Sequence, residues 1–545
     1  MGLLQRCPGY LCDNTTPRNE LDVPQGYLCN ICSEVAQIDA QIIRTRNLLA
    51  DLTEKRDTVK NRRLNRLHDP LMCIPVEVTS QIFVFYNDIK RMEPGLSSAA
   101  FKKDIDWSPS LFLASISQGW RQIALATSEL WTSIDIQVYS LANIPLQAEL
   151  LNQCLDRSGK RLLVIRLIAK PKMAFPADSP VKMSPLFDVI RQCAPRWQKL
   201  FVHLPQRLYA AFVGDLTCAP SLVHLELEPM GGTVTEQKCF QLAETPSLTH
   251  LDISRQFLSQ IDVQWYNLTT FNCGILSIDE LFELLRRAKR LLQCGFFILF
   301  EDCGDYPLPE IPIVHQSLRK LRFVASNTSD DSTLEALFNG IELPSLDEIH
   351  IDCSDTAQLV SVPRGLHSLF ERSRCPLTQF SICNDKSSGL DILSILESLP
   401  TVTNLYLEGR KMMTNTVLKL LGERTLTEDG TFQFRILPNR KTLVFVGKRG
   451  FQWQSLMDAF FPGWKEASDT RPSTGSPSPT WPFTLRFNLA LTKSKNLDYI
   501  DADIVPHLVN AQKEMSSIKL EIGVMERRVD LIELSWMRYL QMDVN

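Results

Sequence analysis

Between residues 33 and 69, apolar positions advance by alternating steps of three and four. Val35, Ile38, Ile42, Leu49, Leu52 and Val59 keep this register, Thr45, Arg56 and Arg63 interrupt it, and charged side chains fill the remaining positions. The spacing predicts a long helix with a coiled-coil-like seam, either self-associating or packed on its own chain. Residues 72–85, MCIPVEVTSQIFVF, place Ile74, Val78, Ile82 and Phe85 on one helical face. Pro75 suits the first turn, where the N–H it lacks has no intrahelical partner anyway. A short amphipathic helix starting near Pro75 is expected. Phe83 and Val84 widen its apolar surface beyond one stripe, which raises the question of what it packs against. After a loop-rich connection, Leu113, Ile116, Trp120, Ile123 and Ala124 mark a second helical stripe, and WTSIDIQV from Trp131 alternates as a strand does.

From about residue 161 the chain repeats itself. An apolar-x-x-apolar-x-apolar core starts at Leu162, Trp197, Leu222, Leu248, Leu268, Leu291, Leu318, Leu346, Leu377 and Val402, most clearly in PSLVHLEL, PSLTHLDI, PSLDEIHI and PTVTNLYL. The mean spacing is about 27 residues, within the range of leucine-rich repeats. Each unit supplies a short strand and then a return such as IDELFELLRRAK. One unit cannot bury its apolar face alone, so neighbours are expected to stack as a solenoid. A doubly wound α/β domain needs a glycine-rich loop after its first strand, and none occurs. Residues 465–482, KEASDTRPSTGSPSPTWP, read as a disordered insert by composition. FTLRFNLAL then resumes a strand pattern, HLVNAQKEMSSIKLEIG reads as a helix running into a strand, and MERRVDLIELSWMRYL closes the chain as a helix. The expected organisation is a poorly ordered segment 1–32, a long helix 33–69, a helical domain 70–131, the solenoid 132–464, the insert 465–482 and a C-terminal strand/helix segment 483–545.

Composition narrows the class. A chain of 545 residues is too long for one ordinary core. Its net charge of −4 carries no basic excess, so nucleic acid is not an expected partner. The fifteen cysteines are odd in number and mostly scattered, which suits small buried apolar residues in a reducing compartment better than a disulfide framework. No apolar run approaches the roughly 20 residues that span a bilayer, and the first thirty residues carry no signal-peptide pattern. A cytoplasmic or nuclear protein without a membrane partner is expected.

Catalytic signatures are missing. No H-E-x-x-H, G-x-S-x-G or kinase set occurs, and CLDRSGKR lacks both the upstream glycine and the Ser or Thr of a phosphate loop. The eight histidines show no ligand spacing along the chain. No enzyme and no cofactor is expected. Cys7, Cys12, Cys29 and Cys32 form two close pairs whose thiolates could hold a tetrahedral zinc ion. The preferred reading leaves them unliganded, because Cys32 falls at the start of the helical seam.

The helical domain resembles the F-box. That family carries Leu-Pro-x-Glu-hydrophobic, then Ile-Phe, then hydrophobic-Cys-x-x-Trp, then a second Trp. Here the corresponding residues are Ile74, Pro75, Val76, Glu77 and Val78, then Ile82 and Phe83, then Ile116 to Trp120, then Leu130 and Trp131, with Ile replacing Leu at 74 and Ser117 standing where Cys is usual. The wider plan is similar to F-box-like proteins abundant in mushroom-forming fungi, which join a helix, an F-box and irregular leucine-rich repeats. The resemblance implies an α/β fold with an N-terminal helix and a helical F-box before the solenoid. It also implies a Skp-family adaptor docked on Ile74, Pro75, Val78, Ile82 and Phe83, a core containing Trp120 and Trp131, and through the adaptor a cullin. The expected role is a substrate-recognition subunit of a Skp–cullin–F-box ubiquitin ligase. The alternative is a scaffold that uses the F-box without ligase assembly. Strand alternation turns Glu226, Asp252 and Glu348 away from the core, making them candidate contacts for a protein target.

Overall fold

The computed structural model describes residues 30–67, 74–92, 109–170, 173–230, 239–324, 331–353, 362–384, 389–410, 412–428, 432–461, 483–490, 499–514, 518–524 and 529–543. Residues 1–29 of the expected poorly ordered segment 1–32, three of the four candidate zinc cysteines (Cys7, Cys12 and Cys29) and the insert 465–482 lie outside these residues, as does the side chain of Cys32; residues 30–32 are corrected, since they belong to a helix. The chain divides into two compact units between Leu130 and Trp131.

The first unit opens with helix α1, Asn30–Leu67. Its seam residues Val35, Ile38, Ile42, Leu49, Leu52 and Val59 are all exposed. Helix α2 spans Val76–Met92, α3 Pro109–Ile116 and α4 Gln118–Ala126. Pro75 lies one residue ahead of α2, and its carbonyl accepts from the Val78 and Thr79 amides at 3.0 and 3.1 Å. Ser117 caps α4, its hydroxyl accepting from the Trp120 amide at 3.1 Å. Serine is a strong N-cap residue, which gives position 117 a local reason for its identity. Phe83, Leu113, Ala114, Ile123, Ala124 and Leu130 form the core, with the Phe83 ring 4.9 Å from that of Trp120. The Ser110 hydroxyl donates to the Leu130 carbonyl at 2.7 Å, and the Thr127 hydroxyl donates to Ser80 at 3.0 Å, tying α2 to the end of α4.

The second unit is mixed α/β. Fifteen strands of one sheet follow one another in chain order, and all but the last are parallel to their neighbours. They are β1 (Ser133–Val138), β2 (Leu163–Ala169), β3 (Trp197–His203), β4 (His224–Leu227), β5 (His250–Ile253), β6 (Thr270–Ser277), β7 (Gln293–Phe300), β8 (Lys320–Val324), β9 (Glu348–Asp352), β10 (Gln379–Cys383), β11 (Asn404–Glu408), β12 (Thr442–Gly447), β13 (Phe483–Leu489), β14 (Ile518–Val524) and β15 (Val529–Asp530). Parallel neighbours need a crossover between them. Here helices such as Ser179–Gln192, Ile278–Arg287 and Val362–Ser373 supply several of these. Alternate strand residues are buried on one side, as in Leu163, Ile165, Leu167 and Ala169 of β2.

Nine of the ten repeat starts are buried; Leu162 is the exception. The ladder between β2 and β3 slips at Leu163, and Leu163 takes the buried place instead. The C-terminal boundary is corrected as well. Residues 483–545 do not form a separate segment, because β13, β14 and β15 extend the same sheet and bury Phe483, Leu485, Phe487, Leu489, Leu520 and Ile522. β12 is a further strand beyond the last counted repeat start.

Two buried features bear on stability. Glu280, at the third position of the helix Ile278–Arg287, is fully buried and accepts from the Ser277 and Leu258 amides. Burial pushes its carboxyl up to about 7, against those hydrogen bonds, with the Asp279 charge adding to the rise. After β11, Gly409 has φ +150°, and a Cβ there would sit 1.9 Å from the Asn384 carbonyl oxygen.

Candidate functional site

Two surfaces bring chemistry together. The first lies on α2, where Val78, Ile82, Phe85 and Ile89 are exposed. Their steps of four, three and four put them in one stripe. Phe112 of α3, also exposed, stacks its ring 6.4 Å from that of Tyr86, so α3 adds apolar surface beside α2. Of the expected adaptor contacts, Pro75, Val78 and Ile82 are exposed and Ile74 is half-buried. Phe83 is a correction. It is 1 % exposed and packs on Trp120, about 100° round the helix from the stripe, so it belongs to the core and offers no docking surface. The exposed ring is Phe85, at 68 %. Trp131 is corrected too: it is buried, but it falls in the second unit, where the Arg157 guanidinium lies 4.7 Å from its ring centre.

The second surface is the outward side of the sheet, where the ladders set which residues stand side by side. One row runs Phe201, Glu226, Asp252, Asn272, Gly295, Arg322 and His350; the next runs Lys199, His224, His250, Thr270, Gln293, Lys320 and Glu348. Glu226 and Asp252 are therefore neighbours. Glu348 stands four strands from Asp252, roughly 19 Å away at the usual strand spacing, and pairs with Lys320 at 2.8 Å. The three expected target contacts share a face but form no single cluster.

Around Glu226 and Asp252 the sheet collects imidazoles. His203 Nε2 lies 2.7 Å from Glu226 Oε1, its Nδ1 3.4 Å from Glu228 Oε2, and His224 Nε2 2.7 Å from Asp252 Oδ2. Asn272 donates to Asp252 Oδ1 at 2.6 Å. The rings of Phe201, His224 and His250 follow one another at 5.2 and 5.8 Å, and the Arg166 guanidinium covers Phe201 at 4.7 Å. Partial burial pushes the Asp252 carboxyl up, but the bonds from His224 and Asn272, with the nearby imidazoles, outweigh it and hold the group below its usual value. Burial and the neighbouring His224 pull His250 down.

The histidines show no ligand spacing along the chain, but the fold brings His203 and His224 beside carboxylates from neighbouring strands. His224 and His250 are ladder partners on adjacent strands, and His203 stands on the strand before them, four positions beyond the partner of His224. The legible signal was the recurrence of His224 and His250 at the equivalent position of successive repeats, two residues before an acid, in HLEL and HLDI; His203 carries no such signal. No protein-family model and no curated protein matches this chain. Among the described residues, no helix is long and apolar enough to cross a membrane.

Proposed function

We propose that this chain is a non-catalytic substrate-recognition subunit of a Skp–cullin–F-box type ubiquitin ligase. The first unit acts as an F-box that docks a Skp-family adaptor. The second acts as an irregular leucine-rich-repeat solenoid that captures a protein target. The observation that carries the reading is the exposed stripe Val78, Ile82, Phe85 and Ile89 on a small helical unit whose core is filled by other residues. An exposed apolar patch of this kind marks an interaction surface. Of the motif residues, Ile82 lies in the stripe, Glu77 is in the first turn of the same helix, and Ile74 and Pro75 immediately precede that helix. Phe85 and Ile89 replace Phe83 among the proposed adaptor contacts.

For the second unit, support comes from parallel strands in chain order, which line up outward side chains over many units. The rows mix acids, imidazoles and bases, with pairs such as Arg166–Asp135, Lys320–Glu348 and Arg486–Glu521. A face without a basic stripe suits a protein target better than nucleic acid.

Co-purification tests the reading. The tagged full chain should bring down a Skp-family adaptor and a cullin, and Ile82→Lys with Phe85→Lys should lose both while the sheet unit stays folded. An adaptor without cullin moves the chain to the scaffold alternative. Failure to retain any adaptor overturns the F-box reading.

A further inference from the structure

The His/carboxylate cluster has an arrangement that target docking does not require. His203, Glu226 and Glu228 each bring one ligand atom within 4.8 Å of the others, and His224, Glu226 and Asp252 do the same. All five residues are half-buried, and Glu226 belongs to both sets. Each set offers one imidazole nitrogen and two carboxylates. Ca²⁺ and Mg²⁺ prefer oxygen ligands throughout, whereas an imidazole in the set favours borderline transition ions such as Zn²⁺.

The distances suit such an ion. Tetrahedral zinc holds nitrogen and oxygen at about 2.0–2.2 Å, which places neighbouring ligand atoms about 3.4 Å apart. His203 Nδ1 and Glu228 already stand at 3.4 Å. The 2.7 Å contacts His203–Glu226 and His224–Asp252 are hydrogen bonds that open by about 0.7 Å to admit the ion, a small rotation for half-exposed side chains. The backbone beneath is fixed, because Glu226 and Asp252 are ladder partners on adjacent strands.

An outer layer is present as well. Asn272 donates to Asp252 Oδ1 and leaves Oδ2 facing His224, the kind of support that orients a metal-binding carboxylate. Asn272 has room to do so because position 295 is glycine. A Cβ at Gly295 would come 2.7 Å from Asn272 Oδ1.

We propose that this strand face binds divalent ions of the zinc class, with Glu226 as the ligand common to both triads. The proposal goes beyond the ligase reading and does not depend on it.

The test uses the full chain with Cys7, Cys12, Cys29 and Cys32 replaced by Ser, so that thiolates at the N-terminus do not compete. Zn²⁺ is titrated by calorimetry in excess Mg²⁺, and Co²⁺ is bound in parallel for its visible spectrum. The expected result is saturable binding of one or two ions that Mg²⁺ does not displace, with a Co²⁺ spectrum free of thiolate charge transfer. Glu226→Gln should weaken binding at least tenfold, and Glu348→Gln, on the same face but outside the cluster, should leave it unchanged. Melting in chelator separates lost ligation from lost folding. If Glu226→Gln does not fold, His203→Asn and His224→Asn replace it, and each should weaken binding or lower the stoichiometry. Absence of saturable Zn²⁺ binding, or equal binding by these variants and the parent, overturns the proposal.

Discussion

Phe83 and Phe85 stand two residues apart on α2, and truncating them should have opposite consequences. Phe83 is 1 % exposed, in contact with Trp120, and sits in a core that numbers six buried apolar side chains among the described residues of the unit. Removing a buried phenylalanine side chain costs about 3–5 kcal/mol. Phe85 is 68 % exposed, so about one third of its surface is already covered. Full burial of such a side chain is worth about 1.5–3 kcal/mol, so Phe85→Ala should cost the fold about 0.5–1 kcal/mol. The remaining two thirds, if covered by an adaptor, is worth about 1–2 kcal/mol, or roughly 5- to 30-fold in affinity. Hydrogen exchange of the α2 and α4 amides reads the first effect; titration of the full chain with adaptor reads the second. Phe83→Ala should release amide protection across the helical unit. Phe85→Ala should keep protection and weaken adaptor binding. If Phe85→Ala deprotects the unit as much as Phe83→Ala, the assignment of core and surface is wrong. If it leaves adaptor affinity unchanged, the docking stripe is wrong.

Other expectations follow from buried and crowded positions. The folded state raises Glu280 from 4.5 to about 7, so the proton held on folding stabilises the chain fully below about pH 4.5, and that contribution is lost as pH rises through about 7. The loss is about 3 kcal/mol, and Glu280→Gln, which cannot ionise, should flatten that part of the curve in urea titrations at pH 5 and pH 8; parallel curves for the two proteins count against it. Gly409→Ala should cost more than about 2 kcal/mol, because strain at positive φ adds to a backbone clash. Gly159→Ala, at φ +60° and ψ −126° with open space around its Cβ position, should carry backbone strain without a clash, about 1–3 kcal/mol; thermal melting ranks the two, and the reverse order contradicts the argument. Charge reversal at Glu226, Asp252 and Glu348 together should abolish capture of a protein target and spare adaptor binding. Retained capture, read by cross-linking and affinity purification, moves recognition elsewhere.

The sheet was largely legible because its code is local. Each strand buries every second residue, and Leu222, Leu248 and Leu346 open units that alternation alone defines. The slip at Leu163 was not legible, since Leu162 and Leu163 are both leucine and only cross-strand register decides which turns inward. β13 and β14 were read as a strand pattern and a helix-to-strand run, yet their membership of the sheet was missed because they lack the Pro-Ser-Leu lead of the clear repeats. On α2 the periodic face of Val78, Ile82 and Phe85 was sound, while Phe83 was misplaced by a motif in which neighbouring residues point different ways. The imidazole cluster escaped because ligand spacing was sought along the chain. The distances that matter there run across strands, from His203 to Glu226 and from His224 to Asp252.

Strand order that copies chain order also gives the second unit a modular economy. In a doubly wound sheet, excising one strand strands its spatial neighbours, which come from distant parts of the chain. Here each strand pairs with the ones before and after it. Duplicating or deleting one strand together with its return leaves the other ladders of this sheet intact, provided that returns which pair with each other, such as Phe240–Gln241 with Ile261–Asp262, are kept together. A lineage carrying such a chain can therefore lengthen or shorten its outward face one rung at a time, in steps of roughly 4.8 Å, without redesigning the rest.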